Sequence, residues 1–448
     1  MSSIILFIQE LLQSPQILIG LIVLIGLIAQ KKPVNEVVRG TLKAILGFVI
    51  IGAGAGILVG SLDYFGQLFQ EAFNVQGVVP NNEAIAARAL EDYATYTAGI
   101  MVIGMGANIL IARFSRLKYI FLTGHHTLFM AALIAVVLKV AGLDGVLLYV
   151  LGGMALGLTM VIFPAIGQRY MSEVTKSDDI ALGHFSTTTY FLSGFFGKLV
   201  GKESKSTEDM KFPQSLSFLR DSSVSIALTM LIMYLITTIA AGPAFVADEL
   251  GIADNYIIFA FIQSLTFAAG VYIVLQGVRM VITEIVPAFK GWSDKLVPDA
   301  KPALDCPIVF PYAPNAVLIG FLVSFVGGLV GMGILILVGG IVILPGIIPH
   351  FFLGATAGVF GNATGGRRGA VVGSFVNGVA ISFLPLLLIP ILGDLGFENT
   401  TFGDADFVMV GSFIGLLANW SEWLLGGVIA VLFAIPFIDG FLHKKKEA

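Results

Sequence analysis

The sequence predicts an all-α polytopic membrane protein of about eleven transmembrane helices, some of them broken or re-entrant. Three observations carry this. Hydrophobic residues make up 57% of the 448 and charged residues only 12%, whereas soluble domains carry about 25% charged. Apolar runs of roughly 20 residues, enough to cross a bilayer as a helix, recur along the chain. Lysine and arginine gather in every second loop, as they do on the cytoplasmic side of a membrane.

In chain order the runs fall near 17–30, 43–62, 93–112, 119–139, 146–166, 224–245 and 256–278. The Gly-rich stretch 315–365 has room for two more, and 370–393 and 407–436 supply the last two. Basic clusters follow the odd spans: Lys31, Lys32 and Arg39; Arg113, Arg116 and Lys118; Arg169 through Arg220; Arg279 to Lys301; Arg367 and Arg368; Lys444 to Lys446. The loops after even spans are acid-rich, among them Asp63, Glu71, Asp248, Glu249, Asp404 and Asp406. Hydropathy and charge together give a multi-pass protein with its N-terminus outside and its C-terminus cytoplasmic. The opening MSSIILFIQELLQSPQ carries Glu10 and lacks a basic start, so it reads as an amphipathic lead-in, not a cleaved signal. Residues 1–448 form one integral membrane unit, because the polar stretches 167–223 and 279–314 are too short and too apolar for separate domains. Within the first, FSTTTYFLSGFFGKLVG at 185–201 has the hydrophobicity of a half-span.

Several chemistries are excluded. The single cysteine, Cys306, permits no internal disulfide framework and no multi-thiolate zinc site. There is no GxxxxGK[ST] nucleotide loop, no HExxH and no Gly-x-Ser-x-Gly elbow. No cofactor or nucleic acid is expected.

Polar groups at membrane depth are costly unless they meet a partner, a cavity or a substrate. His125 and His126 in FLTGHHTLFM are adjacent, so on a helix they point about 100° apart and cannot share a metal on one face; no metal site is expected. His126 is readily satisfied by a neighbouring backbone carbonyl. His125, preceded by Thr123 and Gly124 that can open the backbone, is the substrate-facing candidate, since neutral imidazole both donates and accepts. GFVIIGAGAGILVG at 47–60 is either a small-residue helix contact or an unwound turn presenting bare amides, and AGVFGNATGG at 357–366 repeats its theme. Asp305 opens a Pro-rich stretch and is either a solvated loop acid or an acceptor for substrate hydroxyls. Gln276 lies just inside the membrane edge, with Arg279 as a positive-inside anchor. Asn81, Asn82 and Glu83 either cap the helix after Pro80 or face a substrate.

RGTLKAILGFVIIGAGAGIL at 39–58, LTGHHTLFMAALIAV at 122–136, LQGVRM at 275–280, DCPIVFPYAPNAVLIGF at 305–321 and FFLGATAGVFGNATGG at 351–366 run in order across nearly the whole chain. Together they resemble the ascorbate-type EIIC membrane component of the bacterial phosphoenolpyruvate-dependent phosphotransferase system. The resemblance implies an eleven-helix homodimer in the bacterial cytoplasmic membrane, with scaffold and core subdomains interleaved in sequence and an elevator-like shift. It implies L-ascorbate, or a closely related sugar acid, as cargo. A separate cytoplasmic EIIB protein would phosphorylate it, recharged through EIIA, HPr and Enzyme I, so the phosphoryl donor lies off this chain. It implies a substrate site at Gly54, Ala55, His125 and Asp305, completed around Thr356 and Gly358, to which Asn82, Glu83 and Gln276 are added as binding candidates. Phe129 and Phe185 stand where similar proteins carry glutamine. The rival expectation is an ion-coupled secondary transporter of a small polar solute, for which more intramembrane carboxylates would be expected than the spans contain.

Overall fold

The computed structural model describes residues 15–74, 77–210, 222–393, 395 and 399–447; most of the amphipathic lead-in and part of the 167–223 segment lie outside the described residues. Helices dominate: α1 (Pro15–Ala29), α2 (Val34–Phe73), α3 (Asn82–Phe114), α4 (Gly124–Val140), α5 (Gly145–Thr175), α6 (Thr187–Val200) and α7 (Ser222–Ala244) make the first series. They are followed by α8 (Tyr256–Leu296), α9 (Pro314–Val338), α10 (Ile347–Phe383), the single turn α11 (Pro385–Leu388), α12 (Ala405–Trp420) and α13 (Glu422–Glu447). Among the described residues eight helices are long and apolar enough to cross a membrane, and Gly124–Val140 and Ala405–Trp420 are shorter apolar ones.

Of the two glycine clusters, one breaks its helix and the other does not. Helix α2 runs unbroken through 47–60. There Gly54 is a helix contact: a Cβ on it would stand 2.8 Å from the backbone nitrogen of Val274 in α8. The expected span at 119–139 is instead a short strand followed by the 17-residue α4, and the expected span at 407–436 is two helices, α12 and α13, parted at Ser421. Helix α10 does break, at Gly365 and Gly366 in the AGVFGNATGG stretch. Gly366 has φ 55°, and a Cβ there would meet the carbonyls of Ser204 and Lys205 at 2.5 Å, so only glycine fits comfortably.

Among the described residues six short strands interrupt the helices: β1 (Gly77–Pro80), β2 (Tyr119–Phe121), β3 (Ala181–Leu182), β4 (Lys301–Leu304), β5 (Val342–Ile343) and β6 (Thr400–Thr401). They pair in parallel as two three-stranded sheets, β5-β1-β6 and β2-β4-β3. The order reveals an internal repeat. Gly77 to Lys301, Tyr119 to Val342 and Ala181 to Thr400 are each an offset of about 220 residues, and α2 stands to α8, and α6 to α12, in the same relation. Each sheet therefore takes its central strand from one half of the chain and both flanking strands from the other. Repeated halves with discontinuous helices are a device of membrane transporters. The repeat that the sequence hinted at exists, but it matches α2 with α8; the Gly365–Gly366 break matches the loop between α4 and α5.

Packing sorts the helices into two groups. α1, α2, α7 and α8 pack chiefly on one another, while α9 and α6 pack on α10, and α4 and α5 on α3. Where α9 crosses α10 the backbones touch: a Cβ on Gly320 would collide with the carbonyl of Gly354, and one on Gly358 with that of Ala316. Lipid gives helices no hydrophobic reason to associate, so close small-residue contacts of this kind supply the attraction.

Candidate functional site

Each short strand delivers the chain to the start of a helix, and the polar side chains of the site come from these strand-to-helix junctions, with Arg279 from within α8 as the exception. A helix start leaves several N–H groups without intrahelical partners and carries a partial positive charge. The side chains here satisfy those groups across the repeat. Asn81 caps α3, its side chain accepting from Ala84 N–H at 2.8 Å. Asp305 caps the 3-10 turn Cys306–Tyr312, accepting from Cys306 N–H at 2.7 Å. Asp406, from the start of α12, accepts from the N–H groups of Thr187 and Thr188 at 2.7 and 3.1 Å and so caps α6 in the other half. In return Ser186 Oγ accepts from Ala405 N–H, and the Phe185 carbonyl from Asp406 N–H. Asn82 closes the ring, its Oδ1 accepting from Gly403 N–H at 2.8 Å and its amide donating to Asp404 Oδ1 at 2.5 Å.

Between the junctions lies a cavity of about 320 Å³, within the range of small-molecule sites. One wall is Asn82, Glu83 and Asp404; another is His125, His126, His184 and Asp305; Arg279 supplies a cation and Phe129, Phe352 and Leu353 an apolar side. The pseudo-symmetry is visible in the lining. His125 and Ile348 are each the second residue of their helices, Phe129 and Phe352 each the sixth. Acids and imidazoles alternate: Asp404 Oδ2 is 3.7 Å from His184 Nδ1, His184 Nε2 is 3.9 Å from Asp305 Oδ1, and Asp305 Oδ2 is 3.4 Å from His125 Nε2.

Two oxygens in this wall stand out. Glu83 and Asp404 are 6% and 1% exposed, yet Glu83 Oε2 and Asp404 Oδ2 have no hydrogen-bond partner. Buried polar atoms are nearly always bonded, and leaving a charged acceptor unmet costs on the order of 1–3 kcal/mol or more. Both residues line the cavity. The metal reading is weaker. Three groups of ligand atoms come within 4.8 Å of one another, but His126 belongs to two of them, and its Nδ1 accepts from Phe185 N–H at 3.3 Å. That leaves the proton on Nε2, with no lone pair toward the cavity. The third group needs the thiol of Cys306, which is 1% exposed.

Four sequence candidates, Asn82, Glu83, His125 and Asp305, line this cavity. The others do not. Gly54 packs on α8, with Ala55 next to it on the same unbroken helix. Gly358 packs on α9, and Thr356 is fully buried with its hydroxyl donating to Phe352 O at 2.7 Å. Gln276 is not a lining residue, whereas Arg279, read from sequence as a simple anchor, is. Of the two phenylalanines at glutamine positions, Phe129 forms wall, while the fully buried Phe185 ring stacks on Phe121 at 4.6 Å. His126, His184 and Asp404 were not picked as site residues. A signal existed for His184, because Gly183-His184 repeats the pair Gly124-His125.

Interrupted helices converging on a cavity with polar walls in a multi-pass apolar fold define a membrane permease. The chain belongs to the family of sugar-specific permease components of the PTS system, EIIC-GAT, whose model matches residues 10–406. It is also similar to the ascorbate-specific PTS system EIIC component of Mycoplasma pneumoniae, at 24% identity over 86% of this chain. The alignment spans 65% of that relative's length.

Proposed function

We propose that the chain carries L-ascorbate, or a closely related sugar acid, inward across the bacterial cytoplasmic membrane, with the cargo phosphorylated on arrival by a separate EIIB protein. The observation that carries this reading is that Glu83 and Asp404, two residues that line the cavity, each keep a buried oxygen without a hydrogen-bond partner. A polyhydroxylated guest meets both with O–H donors, while Arg279 and the imidazoles offer donors to its acidic part. The name of the Mycoplasma relative supports ascorbate as the first cargo to test. The packing of α1, α2, α7 and α8 chiefly on one another, with Arg279 of α8 reaching the cavity carried by the other group, supports a scaffold and a moving core, and hence an elevator-type shift, in a homodimer. Basic loops after the odd spans support a cytoplasmic C-terminus.

One observation favours the rival. Asp305, Asp404 and Asp406 lie outside the apolar runs in sequence but fold in beside Glu83 and the histidines, so the site holds more carboxylate than the spans alone promised. An ion-coupled carrier could use these groups. Vesicle uptake of labelled ascorbate separates the two: accumulation as a phosphoester that requires phosphoenolpyruvate and the soluble phosphocarriers supports the first, and accumulation of unmodified solute on a sodium or proton gradient the second.

A further inference from the structure

We propose that His125, oriented by Asp305, is the general base that takes the proton from the cargo hydroxyl as that hydroxyl is phosphorylated. This rests on the reading of the chain as a phosphorylation-coupled permease. Transfer from the partner's phosphorylated side chain breaks that side chain's bond to phosphorus and forms an O–P bond. The electron pair leaves on the partner's side chain, and the hydroxyl proton must go to a base beside the cargo.

The cavity offers few nitrogens for that task. His126 Nε2 is protonated by the argument from Phe185, and His126 is only 4% exposed. His184 is 3% exposed and its Nδ1 is bonded to the Tyr190 hydroxyl at 2.9 Å. His125 and Asp305, with side chains 23% and 36% exposed, are the accessible pair of the polar wall, and a phosphoryl group brought by another protein must enter where the wall is open. Arg279, exposed and lining the same cavity, suits the phosphoryl oxygens.

The pair is also ordered for the work. Asp305 cannot swing freely, because Oδ1 is held by Cys306 N–H at 2.7 Å. That leaves Oδ2 facing His125 Nε2 at 3.4 Å, a placement that favours the imidazole proton on Nε2 and the lone pair on Nδ1. A carboxylate that fixes the tautomer and then stabilises the imidazolium is the general arrangement of an oriented base. Asp305 acts through His125 and is a positioning residue.

The test uses the full chain in vesicles with labelled ascorbate and the phosphorylated EIIB partner, measuring cargo Kd and the single-turnover phosphorylation rate at saturating cargo. H125Q should slow phosphorylation by about a hundredfold or more, the usual worth of a general base, while Kd weakens by no more than about tenfold. D305N should slow it less and displace the pH profile of the rate. If H125Q phosphorylates at the wild-type rate once cargo is saturating, His125 is only a binding group and the proposal is overturned. A wild-type protein that binds ascorbate but transfers no phosphoryl group, and accumulates it on an ion gradient, overturns the underlying reading instead.

Discussion

Replacing Asp404 with Asn removes a buried acid while keeping the shape of the side chain, and the structure predicts opposite effects on binding and stability. In the empty protein Asp404 Oδ1 accepts from Asn82, but Oδ2 has no donor and meets only His126 and His184, at 4.0 and 3.7 Å. An asparagine carbonyl can still accept from Asn82, and no helix cap is lost, because Asp404 makes no side-chain cap bond to α12. Removing a buried acid whose second oxygen has no donor relieves a desolvation cost, so the unliganded variant should melt at or above the wild-type temperature in detergent. Binding should move the other way. A hydrogen bond to a charged group is worth about 1.5–3 kcal/mol, and each 1.4 kcal/mol is about tenfold in affinity. Loss of the carboxylate acceptor should therefore weaken ascorbate binding by about tenfold to a hundredfold. Calorimetry with purified protein and thermal melting with and without cargo read both quantities. A variant that melts lower when empty, yet binds cargo as tightly as wild type, would refute the assignment of Oδ2 to the guest.

Glu83→Gln should also weaken binding by about tenfold or more, measured by the same titration, since Oε2 is the second unmet acceptor. Gly366→Ala should lower the melting temperature through a strained φ and a clash with the Ser204 and Lys205 carbonyls, a cost of roughly 1–3 kcal/mol. Glu208→Ala should lower it too, by about 0.5–2 kcal/mol, because the Glu208 carboxylate accepts from Asn315 and Ala316 N–H at the start of α9, each at 3.1 Å. Asp178, in the loop after α5, is held below the usual carboxylate range by its bond from Lys301 and then by that from Gln168. Its folded pKa is the lower one, so its contribution is complete above the ordinary carboxylate pKa and disappears as pH falls through the depressed value; D178N should flatten the acid limb of the melting-temperature profile.

The fold was legible where a single physical signal acts alone. Apolar runs and basic loops marked the long helices because bilayer thickness and the positive-inside bias leave little ambiguity. The breaks were not, because Gly-rich stretches serve both close packing and unwinding: 47–60 packs, whereas 365–366 unwinds. His125, Asp305, Asn82 and Glu83 were readable as polar groups beside helix starts. Asp404 was not, because an acid in an acid-rich loop looks solvated until β6 brings it against β1 and Asn82. Arg279 was masked in the same way, since a cation at a membrane edge already has an explanation. The strands themselves are two to four residues long, too short for any alternation to register.

The reciprocal lending of strands has a consequence for biogenesis. Tyr119–Phe121 and Ala181–Leu182 find their ladder only when Lys301–Leu304 has been synthesised, and Gly77–Pro80 waits still longer for Val342–Ile343 and Thr400–Thr401. The leading half must therefore sit in the bilayer with unfilled backbone acceptors until the trailing half arrives. Neither piece, expressed by itself, would own a finished sheet, and severing the chain between Val200 and Tyr256 should yield competent protein only when both fragments are made together.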